Sequence, residues 1–144
     1  RCYHQRRNGY LLGMANPIEK AFKAARTSEK KLAGVSVTLR RDAYVSDMFV
    51  ATVADTQFEE YQADNTVISN RSRDYIIDVE DYLVNGVCVT PVPGDVINEM
   101  INGKSCRFEV LALAGEQPYS FMDRSRMVFR VHTKEVINDY VAGS

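Results

Sequence analysis

The chain contains no tryptophan, only two histidines and three cysteines in 144 residues, and no apolar run near the roughly 20 residues of a membrane-spanning helix. The cysteines, Cys2, Cys88 and Cys106, are odd in number and widely spaced, and no Cys-x-x-Cys pair exists, which argues against a zinc ribbon or a dithiol redox motif. Cys106 lies in an alternating pattern and is expected as a small buried hydrophobe. His4 and His132 have no partner at metal-ligand spacing, and Cys2 with His4 would supply only two of the four ligands structural zinc needs. There is no Gly-x-Ser-x-Gly elbow and no phosphate-cradling glycine loop. These absences point to a chain without metal, cofactor or catalytic centre.

Carboxylates do cluster, at Glu59-Glu60 and at Asp78, Glu80 and Asp81. Neighbouring strand residues point to opposite faces, so Glu59 and Glu60 do not form an acid–base pair, and both clusters read as solvated surface. There are 8 tyrosines and 6 phenylalanines, and a nucleic-acid platform would interleave such rings with basic residues on one face. Tyr75 and Tyr82 lie among acids, which disfavours a stacking platform for single-stranded nucleic acid.

What is present is a charge split. Residues 1–34 hold 8 Lys+Arg and 2 Asp+Glu, a net +6; residues 35–144 hold 10 and 17, a net −7. A basic arm on an acidic body suits an acidic partner surface or nucleic acid, although a solvated helix would look the same. Hydrophobic content of 45% and charged content of 26% suit one globular domain.

Arg1 to Gly13 is polar and basic, and Met14-Ala15-Asn16-Pro17 resembles a start, so residues 1–13 are read as a non-native or disordered leader. A helix is expected over 14–34. Asn16 caps it, Pro17 fits the first helical position, Glu19 reaches back to the cap, and Gly34 offers a left-handed stop. Ile18, Phe22, Ala25 and Leu32 form a thin apolar face, suited to packing on its own body or on a neighbouring subunit.

After Gly34 the period becomes two. Val35, Val37 and Leu39 share one strand face, a connection follows over 42–47, and Met48 to Ala54 reads as a strand running on toward Phe58. Residues 58–73 are polar and of mixed charge, and read as a long loop or hairpin tip with a short strand at Val67-Ile68. Asp74 to Val79 is a short strand, followed by a helical turn or more strand to Leu83. Asn85-Gly86 and Asn102-Gly103 signal turns; the second sits between Val96–Ile101 and Lys104–Leu113 and marks a hairpin, because a type I′ turn needs positive φ at both residues. A loop over 115–124 leads to a last strand, Met127 to Thr133. The expectation is a mainly β fold, a small barrel or sandwich at 35–138, with one N-terminal amphipathic helix, a long polar loop and a tail at 139–144.

An ordered set of motifs then suggests a family. Val37-Thr38-Leu39-Arg40-Arg41 is followed by Ser72-Arg73-Asp74-Tyr75-Ile76-Ile77 and by Pro93-Gly94-Asp95-Val96-Ile97. Gly103, Phe108-Glu109-Val110 and Phe129-Arg130-Val131-His132-Thr133 complete the set. In this order they resemble the head–tail joining, or head-closure, proteins of tailed bacteriophages and prophages. That resemblance implies a structural, non-enzymatic virion protein of the neck, assembled in the host bacterial cytoplasm. It further implies a homo-oligomeric ring contacting portal or adaptor and tail proteins, with no membrane. Packaged DNA would pass through without sequence-specific binding. Glu59, Glu60 and Asp64 are then candidates for a channel-lining loop, and Lys20, Lys23, Arg26, Lys30 and Lys31 for a docking helix. The alternatives are a small β-barrel module binding peptide, sugar or nucleic acid, another minor virion or tail component, and, more weakly, a hydrolase with an unrecognised site.

Overall fold

A computed structural model describes residues 17–63, 66–112 and 114–136 of the chain. Helix α1 (Pro17–Ala33) leads into ten strands: β1 (Val35–Arg41), β2 (Tyr44–Val45), β3 (Phe49–Ala63), β4 (Thr66–Asp78), β5 (Leu83–Val84), β6 (Val87–Cys88), β7 (Val96–Ile101), β8 (Lys104–Val110), β9 (Tyr119–Phe121) and β10 (Val128–Glu135). A single 3₁₀ turn, Val79–Asp81, follows β4. The pairings run β1-β3-β4-β10-β8-β7 and return from β7 to β1, so six antiparallel strands close a barrel, with no open sandwich. Closure removes the edges that an open sheet of this size would have to protect.

The alternation predicted for β1 holds: Val37 and Leu39 are buried while Ser36 and Arg40 are exposed. Tyr75, Ile77, Ile97, Phe108, Val110, Phe129 and Val131 fill the rest of the interior. The rings meet edge to face, Tyr75 with Phe108 at 5.7 Å and Tyr82 with Phe129 at 5.8 Å, as their quadrupoles favour.

Asp95, just ahead of β7, and Glu99 within it flank the buried Ile97, so two acids bracket the apolar core, and both are neutralised. Arg41 donates to both oxygens of Asp95 at 2.8 Å, joined by the Tyr82 hydroxyl at 2.6 Å. Glu99 accepts from Arg73 and from the Tyr75 hydroxyl, both at 2.6 Å, while the Arg73 guanidinium lies 4.9 Å from the Phe108 ring centre. Burial first, and then the neighbouring carboxylate, pushes both phenols well above the usual tyrosine pKa.

Several expectations are revised. Within the polar stretch, 58–63 and 66–73 are strand: β3 and β4 pair residue by residue from Thr52↔Ile76 to Ala63↔Thr66, with a bulge between Val53 and Asp55. Pairing of β4 with β10 stops at Ser72↔Lys134. Beyond that point the hairpin leaves the barrel, and without a core to face it has no reason to carry apolar alternation. Its six outer pairs, Phe58↔Arg71 to Ala63↔Thr66, extend about 20 Å at the usual strand rise.

The connection 42–47 contains β2, and the loop 115–124 contains β9, which pairs with β10 beside β8. Gly34 is not left-handed. A Cβ there would collide with the Lys30 carbonyl and Val50 Cγ1, so glycine is required by close approach of helix and strand. Cys106 is half-buried rather than buried, and its sulfur lies 3.4 Å from an Arg71 nitrogen. Asn85, Gly86, Asn102 and Gly103 all have positive φ, as their turns require. The Asn16 cap lies outside the described residues.

Candidate functional site

Two features stand out from the barrel: the helix laid on its outer wall and the projecting hairpin. The helix is attached in an unexpected way. Its buried residues are Glu19 and Arg26, not the apolar face. The Arg26 side chain, 6% exposed, crosses to β3 and β4 and uses each of its nitrogens. Nε donates to Asp78 Oδ1 at 2.8 Å, Nη1 to Thr52 Oγ1 at 2.7 Å and Glu29 Oε1 at 3.1 Å, and Nη2 to the Ile76 carbonyl at 2.8 Å. The planar guanidinium, with five N–H donors in a fixed fork, reaches a carboxylate, a hydroxyl and a carbonyl in three separate directions.

One turn further, Lys30 Nζ donates to Asp78 Oδ2 at 2.7 Å and to Asp81 Oδ2 at 3.5 Å. Burial works against the Lys30 charge, but the two acids outweigh it and raise its pKa above the lysine norm. Burial in turn raises Asp81, against the pull of Lys30. At the other end of the helix, the Ser125 hydroxyl donates to Glu19 Oε2 at 2.9 Å. Between these fastenings lies a cleft of about 120 Å³ beside Phe22, Thr27, Val79 and Met127.

The five predicted docking residues therefore divide. Arg26 and Lys30 are committed to the chain's own wall, whereas Lys20, Lys23 and Lys31 are exposed. Asp78 and Asp81, read from sequence as solvated acids, are the anchor for the helix; their partners lie 48 to 52 residues away, and no local signal joins them. Of the predicted channel residues, Glu59 and Glu60 lie in the projecting part of β3, opposite Asn70 and Ser69, and Asp64 lies outside the described residues.

Among the described residues no group of three or more His, Cys, Asp or Glu is placed to hold a metal, and no helix is long and apolar enough to cross a membrane. His132 Nδ1 lies 2.9 Å from Asp74, whose second oxygen accepts from Arg130 Nε at 2.8 Å, so this histidine stands in a surface ion cluster on paired strands.

This helix-plus-barrel arrangement spans one unbroken stretch of sequence, and a family model described as phage head-tail joining protein matches residues 15–139 of it. The chain belongs to the phage head–tail joining protein family. The match begins ahead of α1 and ends beyond β10, so in this head–tail joining protein the helix, barrel and hairpin all fall inside the family region. The family places the protein at the junction of head and tail in the virion. Comparison with curated proteins and with solved structures found no match.

Proposed function

We propose that this head–tail joining protein forms a ring of identical subunits between the portal and the tail, closing the DNA-filled head and connecting the tail to it. The observation that carries this reading is the family match over 15–139, which takes in every described element. The wall of each subunit is a closed six-stranded barrel whose buried acids Asp95 and Glu99 are each paired with an arginine. Portal or adaptor proteins are the partners on the head side and tail proteins on the other. The working location is the virion neck, reached from the host cytoplasm during assembly, and no catalytic step is involved.

Within this reading the hairpin formed by β3 and β4 points into the channel. Glu59 and Glu60 lie on its projecting part and Asp64 is near its tip in sequence. Carboxylates along a DNA passage repel phosphates, so the genome slides past without sequence-specific contact. The exposed lysines of α1 serve docking.

The test is the variant Glu59→Ala/Glu60→Ala/Asp64→Ala in a phage that depends on this protein. The expected result is joined particles with altered DNA retention or slowed ejection. Particles that retain and eject DNA like wild type would remove the hairpin from the channel.

A further inference from the structure

An amphipathic helix on a globular body ordinarily turns its apolar stripe inward. Here only Phe22 of the apolar face turns inward, half-buried beside Val79 and Met127, and the rest of the stripe faces out. At 3.6 residues per turn, Glu19, Arg26 and Lys30 cluster on the side facing the barrel, while Ile18, Ala21, Ala25 and Leu32 fall within about 60° of one another and about 130° round the helix from that side. Ile18 is 77% and Leu32 89% exposed, and Ala21 and Ala25 are exposed between them. The stripe is also held still. The Arg26 and Lys30 bonds at one end and the Glu19–Ser125 bond at the other fix the rotation of the helix on the wall.

The stripe's two flanks differ in charge: Glu29, half-exposed, lies on the flank toward the barrel, and the lysines lie on the other. Both acids of α1 are engaged, Glu19 with Ser125 and Glu29 with Arg26. Lys20 and Lys31 are exposed along the flank turned away from the barrel. A rigid apolar ridge with lysines along its outer flank complements an apolar groove whose facing edge carries carboxylates. Bare DNA would be held by the lysines alone and would leave Leu32 without a role.

We infer that the outward stripe of α1, centred on Ala25 and Leu32 with Lys20 and Lys31 along one flank, docks on an apolar protein surface with an acidic edge at the head's portal vertex. This rests on the neck reading and sharpens it: contact is made by the side of the helix opposite to Arg26 and Lys30.

The experiment uses DNA-filled heads assembled without this protein and purified full-length chain, measuring co-sedimentation with heads, thermal melting and solution mass. Leu32→Glu and, separately, Lys31→Glu change only exposed side chains, so both should melt like wild type. Head binding should weaken roughly ten- to a hundred-fold for Leu32→Glu, the range expected for a leucine buried at an interface. It should weaken several-fold for Lys31→Glu and, for wild type, with rising salt. Met100→Glu, at an exposed methionine on β7, should bind like wild type.

Wild-type chain that ignores the heads would overturn the neck reading itself. Wild-type binding with unchanged Leu32→Glu binding would overturn the docking stripe alone. A Leu32→Glu chain that keeps head affinity but loses self-association would make the stripe a contact between copies. Lys31-dependent binding to bare duplex DNA, unaffected by Leu32→Glu, would replace the protein partner with nucleic acid.

Discussion

Replacing Arg26 by alanine separates the anchoring of the helix from the stability of the barrel. The bond to Glu29 spans three residues on a half-exposed flank and contributes a few tenths of a kcal/mol at most. The other three bonds, to Asp78, Thr52 and the Ile76 carbonyl, join the helix to β3 and β4. Hydrogen bonds to a charged group contribute about 1.5–3 kcal/mol each in favourable cases. Breaking a fully buried ion pair costs about 3–5 kcal/mol. Asp78 is 14% exposed and keeps Lys30 at 2.7 Å, so the loss should fall below that range, at about 2–3 kcal/mol.

The barrel closes without α1, so this energy should appear as local opening of the helix. Hydrogen exchange of the α1 amides should accelerate about 30- to 150-fold while exchange in β4, β7 and β10 stays unchanged. Arg26→Lys should recover less than half, because one ammonium head cannot replace the fork of the guanidinium. Amide exchange in α1 within twofold of wild type for Arg26→Ala would refute the anchor.

Two further outcomes follow from the interior and the turns. Tyr75 and Tyr82 carry phenol pKa values raised above the unfolded value of about 10, so the stability they confer is complete below that pH and is lost as pH rises above it. In an alkaline titration followed at 295 nm, these two should ionise only as the barrel unfolds; normal titration of all 8 tyrosines in the folded protein would contradict their placement. Gly103→Val puts a β-branched residue at φ 78° and should cost about 2 kcal/mol of stability by thermal melting. It should impair head joining only through folding, so a well-folded variant that fails to join heads would give that turn a direct role.

The parts legible from sequence were those governed by local rules. Asn102-Gly103 and Asn85-Gly86 announce their turns because few residues accept positive φ, and the inward set Val37 and Leu39 follows from simple alternation. The helix from Pro17 to Ala33 is legible from its opening and its period.

Its orientation is not. Periodicity finds the apolar stripe, but the side that faces the barrel is chosen by Arg26 reaching Asp78 across 52 residues, a tertiary pairing without a local trace. The extent of the paired ribbon, 58–63 with 66–71, is less legible for a related reason: a loop and a hairpin tip both fit the sequence there, with only Val67-Ile68 marked as strand. Strand patterns are recognised by the burial of one face, and this ribbon has left the core that would impose it. For Gly34 the deciding property is closeness to the Lys30 carbonyl and Val50, not backbone handedness.

The most direct measurement is complementation in vitro. Phage lacking this protein should accumulate DNA-filled heads and free tails that do not join. Purified wild-type chain added to that mixture should bind the heads first, restore joining and yield infectious particles. Full joining of heads and tails without the protein, or no gain in titre when it is added, would contradict its role as the link between them.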